Sequence, residues 1–167
     1  MSAKMITRLG ILLSLSLILS YLESLIPLNV SVPGVKMGLA NIVTMYVLYY
    51  YGIKNASAIL ILRVFISGFL FSGLSSVIFG LCGGVLSILV MYLLKRVKSI
   101  SVIGVSIAGA VAHNAGQILI ALIIMDNAGV LYYLPYLSIT GLISGMLVGY
   151  ISALLMKKIN FESQDIH

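Results

Sequence analysis

Long apolar runs, separated by short segments that contain charges, glycine or proline, dominate the sequence. A run of about 20 apolar residues is long enough to cross the hydrocarbon core of a bilayer as an α-helix. The pattern predicts six such helices, at about residues 6–26, 38–51, 56–71, 77–94, 102–125 and 136–156. We therefore expect an all-α polytopic membrane bundle of six transmembrane helices over residues 1–158, followed by a polar cytoplasmic tail over residues 159–167.

The segments between the runs define the expected helix ends. The first run ends before Pro27, and Gly52 begins a four-residue turn into the third helix. The second and third runs are short, so their helices are either tilted or partly covered by loops. Residues 72–76 are expected to form a loop. A re-entrant segment over residues 67–76 is the alternative, because glycine and serine weaken a regular helix there.

The composition supports a lipid environment and excludes several other classes of protein. Hydrophobic residues make up 61% of the 167 positions and charged residues 8%, whereas soluble domains carry roughly 25% charged residues. The one cysteine, Cys82, rules out an intrachain disulfide and is expected to be a packing residue. We expect no cofactor and no metal site, because His113 is the one histidine inside an apolar run.

The basic residues lie at the ends of the apolar runs, which indicates membrane topology rather than nucleic-acid binding. If the N-terminus is cytoplasmic, the outside carries only Lys36, and Arg63 lies within a helix. The positive-inside rule then predicts an even number of spans in a bacterial cell membrane, with both termini in the cytoplasm. The basic residues expected inside are Lys4, Arg8, Lys54, Lys95, Arg96, Lys98, Lys157 and Lys158.

Arg63 is the first candidate for a functional role. It lies near the middle of the third run, where a charged side chain is costly and usually faces the bundle interior or a cavity. It requires an acidic partner, a water-filled cavity or an anionic ligand. Glu23 and Asp126 are the acidic candidates. A structural pair with Glu23 and a ligand-binding role are both open at this stage.

The fifth run carries the densest polar group, formed by His113, Asn114 and Gln117. His113 and Gln117 are four residues apart and therefore share a helix face. The group forms either a cavity wall or interhelical hydrogen bonds, which are worth about 1 kcal/mol each. Asn41 on the second helix is expected to line the outer half of the same cavity. Lys36 in the preceding loop either attracts anions or is a solvated loop charge.

Small residues recur at intervals of four on two helices. Gly141, Gly145 and Gly149 lie on the sixth helix, and Gly10 and Ser14 lie on the first. Such rows allow another helix to approach closely. Each row either packs inside the bundle or docks a partner subunit, and the spacing alone does not separate the two.

Three segments resemble the Gx transporter family, which is also labelled heptaprenyl diphosphate synthase component I. They are residues 33–44 (PGVKMGLANIVT), 83–87 (GGVLS) and 112–117 (AHNAGQ). With Arg63, the resemblance covers nearly the whole chain. No catalytic motif accompanies it. In particular, there is no acid-rich motif for magnesium and diphosphate, and the chain has four acidic residues in total.

The resemblance implies a function in transport. The family is similar in size and helix count to the S components of energy-coupling factor transporters, which capture a vitamin or similar micronutrient from outside. They dock through small residues of the first helix onto a transmembrane coupling subunit that carries ATPases. Gly10 and Ser14 are the positions for this docking, in place of the usual alanine pair. The expected ligand-binding residues for a small, anionic substrate are Lys36, Asn41, Arg63, His113, Asn114 and Gln117.

The alternative function is a membrane subunit associated with heptaprenyl diphosphate or quinone synthesis, or with a membrane redox system. Prenyl chain elongation itself needs diphosphate and magnesium ligands that this chain lacks. Such a subunit would therefore depend on a soluble catalytic partner.

Overall fold

The computed structural model describes residues 2–25 and 38–164, and over this part it contains helices and no strands. The six α-helices are α1 (Ala3–Leu25), α2 (Leu39–Tyr50), α3 (Gly52–Ser67), α4 (Leu74–Lys95), α5 (Val102–Met125) and α6 (Leu134–Gln164). A π-helical turn, Gly68–Ser72, continues α3, and a 3-10 helix, Ala128–Tyr133, precedes α6. The expected all-helical bundle with six helices is confirmed.

Five of the described helices are long and apolar enough to cross a bilayer, α3 when its π-helical turn is included. The exception is α2, which has 12 residues. At 1.5 Å per residue it is about 18 Å long, against a hydrocarbon core of about 30 Å. Within its described bounds α2 is therefore too short to span the core alone. Of the six expected transmembrane helices, five are long enough to span the core, and the expected shortness of the second is confirmed.

Three expected boundaries are corrected. Gly52 is the first residue of α3 and has a φ of 81°, so the chain turns at one position instead of four. The loop expected over residues 72–76 is reduced to Gly73, which has a φ of 83°. Glycine adopts these angles without the cost of about 1–2 kcal/mol that other residues incur. α6 extends through Gln164, so the beginning of the expected polar tail is helical.

Successive helices alternate in direction. Lys95, at the end of α4, donates hydrogen bonds to the carbonyls of Leu48 (2.8 Å) and Tyr49 (3.2 Å) at the end of α2. Tyr50 donates its hydroxyl to the carbonyl of Met156 in α6 (3.3 Å). The ends of α2, α4 and α6 therefore meet, and the short connections make α3 and α5 begin there.

We call the end of the bundle where α2, α4 and α6 end the basic end, and the opposite end of the bundle the distal end. Leu9 and Leu12 of α1 pack against the core at the basic end, so the start of α1 and the end of α6 lie on the same side. The basic end is defined by Arg8, Lys54, Lys95, Lys98 and Lys157.

The helices form two groups of three. α4, α5 and α6 pack closely and form the C-terminal half, and α1, α2 and α3 form a looser N-terminal half. The halves meet where α3 contacts α4 and where α2 contacts α6.

The close packing of the C-terminal half depends on glycine. A Cβ atom at Gly145 would lie 2.7 Å from the Cα atom of Ile107, and one at Gly149 would lie 2.8 Å from the Cα atom of Ile103. The glycine row on α6 therefore packs against α5 inside the bundle.

The surface of the bundle suits a lipid environment. Large apolar side chains on its outside are exposed, for example Ile11 at 65% and Ile123 at 75%. Extended apolar surfaces of this kind mark contact with membranes or partners. The polar groups, by contrast, collect inside at the distal end.

Candidate functional site

A polar cavity of about 90 Å³ lies between the two halves at the distal end. It is bounded by the C-terminal ends of α1 and α3, the N-terminal parts of α2, α4 and α6, and the middle of α5. Each α-helix contributes to its lining, through Ser20, Asn41, Arg63, Phe79, His113 and Ser144 among others.

Five of the six residues expected to bind a ligand line this cavity. Asn41 comes from α2 and Arg63 from α3. The other three come from the middle of α5 and are His113, Asn114 and Gln117. The sixth, Lys36, lies outside the described residues. The chain thus brings together polar groups from both halves, and their role in ligand binding stays a prediction.

The guanidinium group of Arg63 is held by Asn41. Its Nη2 atom donates a hydrogen bond to Asn41 Oδ1 at 3.1 Å. Its Nε–H group is buried and has no acceptor within residues 2–25 and 38–164. A buried donor without a partner costs about 1–3 kcal/mol. Arg63 therefore retains a donor group that an acceptor in the cavity would satisfy.

Glu23, the carboxylate among the described lining residues, caps the beginning of α2. Its Oε1 atom accepts a hydrogen bond from the backbone N–H of Leu39 at 2.8 Å. A carboxylate there satisfies an unpaired N–H group and interacts favourably with the helix dipole. Glu23 also lines the cavity and interacts electrostatically with Arg63. Within the described residues, however, the hydrogen bond of Arg63 goes to Asn41.

The polar residues of α5 are positioned by close contacts with both neighbouring helices. Asn114 donates its amide to the carbonyl of Leu137 at the start of α6. On the other side, a Cβ atom at Gly83 of α4 would lie 2.7 Å from the carbonyl oxygen of His113. Gln117 is 7% exposed and lines the same cavity. These contacts fix the depth at which the imidazole and amide groups face the cavity.

Four serines complete the polar lining, and the sequence did not single them out as site residues. They are Ser20, Ser67, Ser76 and Ser144. The last three donate their hydroxyl protons to carbonyls three or four residues earlier in the chain, at 3.3, 2.8 and 3.2 Å. Because a hydroxyl oxygen has two lone pairs, each can still accept a hydrogen bond from another group.

The two residues expected to dock a partner lie on the outside of α1. Gly10 and Ser14 are both exposed, and a Cβ atom at Gly10 would meet no atom within 4 Å. Within the most apolar window of α1 only 11% of the residues are buried, against 28–33% in the other long helices. α1 therefore presents an open face, and whether a partner covers it stays a prediction.

An apolar groove of about 410 Å³ runs along the outside of α4 and α5. Leu81, Val85, Leu119 and Ile123 line it together with Cys82. Cys82, expected to be a packing residue, is exposed in this groove. In the described part of the chain, no group of three or more His, Cys, Asp or Glu residues is arranged to hold a metal ion.

The fold and the cavity define a polytopic helical membrane protein with a polar site between its two halves. The profile of the family described as heptaprenyl diphosphate synthase component I matches residues 12–155. The match covers most of the chain, and the chain belongs to this family. No curated protein and no solved structure matches the chain significantly.

Proposed function

We propose that this chain is the substrate-binding subunit of an energy-coupling-factor-like micronutrient transporter and captures a small molecule from outside. The observation that carries the proposal is the cavity, which gathers the guanidinium of Arg63, the imidazole of His113 and the amides of Asn41, Asn114 and Gln117. Polar groups in a membrane are costly and usually mark a substrate or ion path.

The orientation of the bundle supports capture from outside. The positive-inside rule favours a cytoplasmic location for the basic end, with both termini inside. The distal end and its cavity then lie on the outer side of a bacterial cell membrane. Lys36, in the outer loop that the sequence predicts, adds a positive charge that attracts the anionic group of a substrate.

The cavity volume limits the size of the ligand. The cavity, at about 90 Å³, has several times the ~10–15 Å³ of cavity volume that one water molecule needs. It is well below the ~300 Å³ at which pockets for drug-sized ligands begin. The substrate is therefore compact, or it places only one end in the cavity. Arg63 binds its anionic group, and the α5 residues contact its other polar groups.

A transmembrane coupling subunit with ATPases is the expected partner. The exposed face of α1 around Gly10 and Ser14 supports this, because it is the most open surface among the long helices. Small residues allow a partner helix to approach closely. Docking there leaves the cavity between the halves unobstructed.

Mass spectrometry of co-purifying compounds tests the capture function. We expect protein purified in mild detergent to carry a small molecule that is reduced about tenfold or more when Arg63 and His113 are both replaced by alanine. Loss of hydrogen bonds to a charged group, at about 1.5–3 kcal/mol each, accounts for this factor. Lys98→Ala is the matched control, because it removes an exposed cation from the basic end. Equal retention by a folded double variant and the wild type contradicts the proposed site.

A second candidate function is a membrane subunit associated with heptaprenyl diphosphate or quinone synthesis, or with a membrane redox system. The family description favours it. A deletion strain separates the two functions. Loss of solute uptake with normal quinone content supports capture, whereas reduced quinone content with normal uptake supports the second function.

A further inference from the structure

We infer that the ligand of the cavity is a compact zwitterion of the amino-acid class, with its carboxylate on Arg63 and its ammonium group between Glu23 and the serine oxygens. The inference rests on the proposed capture function and names its substrate class. Two independent observations carry it, namely the charge balance of the cavity and the direction of its hydroxyl groups.

Among its described lining residues, the cavity contains one arginine and one carboxylate, and each has its own neutral partner. Arg63 donates to the amide oxygen of Asn41, and Glu23 accepts from the backbone N–H of Leu39. The formal charges of Arg63 and Glu23 cancel. A lone anion would leave an excess negative charge in a poorly solvated site, which is costly unless it is paired. A zwitterion brings one charge of each sign and keeps the site neutral.

The hydroxyl groups favour a ligand that also donates hydrogen bonds. Ser67, Ser76 and Ser144 use their protons on backbone carbonyls, so they present lone pairs. Ser20 is 8% exposed, and its Oγ atom has no partner in the described part of the chain. Phosphate and diphosphate ions supply acceptors almost exclusively and leave such oxygens unpaired. An ammonium group supplies three donors.

The volume narrows the class further. A cavity of about 90 Å³ favours the smallest members of the class, such as glycine, alanine or β-alanine, or the charged end of a larger one. Arg63 and Glu23 are fixed on different helices, α3 and α1. The two charged groups of the ligand are therefore bound from different helices.

Equilibrium binding to purified, reconstituted wild-type protein tests the inference. The probes are radiolabelled glycine, alanine and β-alanine, with acetate, methylammonium and pyrophosphate as competitors. We expect saturable binding of at least one amino acid. Acetate and methylammonium each carry one half of the zwitterion and should compete about a hundredfold more weakly, because each loses one set of charged hydrogen bonds. Pyrophosphate should not compete.

Variants separate the two ends of the ligand. Glu23→Gln retains an oxygen for the N–H of Leu39 but removes the charge, and it should weaken amino-acid binding about tenfold. Asp126→Asn is the matched control, because it removes an exposed carboxylate at the same end of the bundle. Ser144→Ala, which should weaken binding several-fold, is the second variant in case Glu23→Gln does not fold.

The possible outcomes distinguish the inference from the function on which it rests. Binding of pyrophosphate in preference to the amino acids overturns the zwitterion and leaves small-molecule capture in place. The same holds if another compound co-purifies in an Arg63-dependent manner while none of the three amino acids binds. If nothing binds and nothing co-purifies with folded protein, both the inference and the proposed function fail.

Discussion

Lys95 stabilises the basic end through contacts with another helix. Its ammonium group donates to two carbonyls in the last turn of α2 and lies 4.8 Å from the centroid of the Tyr49 ring. Carbonyls in a final turn lack partners within their own helix, and a cation there interacts favourably with the helix dipole. Because Lys95 belongs to α4, this contact also joins the C-terminal half to the N-terminal half.

Replacement of Lys95 by methionine should therefore destabilise the protein. We expect a loss of about 1–3 kcal/mol, because two carbonyls lose their donor while the apolar part of the side chain is kept. Lys98→Met removes the same charge from an exposed position and should change stability by less than about 0.5 kcal/mol. Unfolding in mixed micelles with increasing SDS measures both. Similar losses in the two variants would contradict a specific role for Lys95.

Single residues also show what the sequence can predict about the site. Arg63 and the α5 group could be chosen because large polar side chains are rare inside apolar runs. The serines could not, since a serine that bonds to its own helix is compatible with any face. Charge alone favoured Glu23 as the partner of Arg63. The backbone N–H of Leu39, which donates a hydrogen bond to the same carboxylate, is brought close to it only by the packing of α1 beside α2.

At the scale of the helices, the contact between α5 and α6 is sensitive to side-chain size. The backbones approach so closely that a Cβ atom at Gly145 would lie 2.7 Å from the Cα atom of Ile107 and 3.0 Å from the Cβ atom of Ala110. Neither neighbouring atom belongs to a flexible side-chain end. An added methyl group must therefore move one helix relative to the other.

Gly145→Ala should destabilise the protein by about 1–3 kcal/mol, the usual cost of overpacking. Gly10→Ala is the control, because its added methyl group meets open space on α1. Alanine there should be neutral or slightly stabilising, since it has the higher helix propensity. Thermal unfolding followed by circular dichroism compares the two. An equal effect at both positions would show that the contact between α5 and α6 tolerates expansion.

A helix could be predicted accurately from the sequence where clear polar segments mark both of its ends. The expected helix over residues 102–125 agrees with α5, because a continuous apolar run lies between clear polar segments. The junction of α3 and α4 was less accessible. Its glycines and serines predict a loop, whereas the chain forms a π-helical turn that ends at Gly73. Such a turn leaves no periodic signal, because it depends on local packing against the next helix.

Across the whole molecule, the alternating helix directions determine the topology even though α2 is short. The start of α1 and the end of α6 lie at the basic end, and the connections at Gly73 and Asn127 lie at the distal end. If α2 did not carry the chain from the distal to the basic end, every later connection would be on the opposite side. The side of the membrane on which Gly73 lies therefore shows whether α2 carries the chain from the distal to the basic end.

Reporter fusions test this topology. We expect alkaline phosphatase, which is active only outside the cytoplasm, to be active after Gly73 and after Asn127. It should be inactive after Lys98 and after Lys158, because the positive-inside rule retains the basic end in the cytoplasm. A cytoplasmic fluorescent reporter at the same sites should give the reverse pattern. Phosphatase activity after Lys98 would contradict both the orientation and the role of α2.

The number of helices and the excess of basic residues at one end of the bundle could be predicted, because both follow from the order of apolar runs and charged residues in the sequence. The division into two halves could not. It depends on which helix faces approach closely, and glycine rows predicted close approach without identifying the partner. The row on α6 packs against α5, whereas Gly10 on α1 faces outward. The cavity exists because the loose half and the tight half do not close fully at the distal end.

The partners of Arg63 have a consequence for biosynthesis. A chain enters the membrane from its N-terminus as it is made, at roughly 5–20 residues per second. Glu23 and Asn41 both precede Arg63, so an acceptor and a carboxylate are already in place when α3 arrives. An unaccompanied arginine at mid-depth costs about 2.5–3.5 kcal/mol or more during insertion. The nascent N-terminal half thus accommodates its charge before the ribosome has completed the helices that close over it.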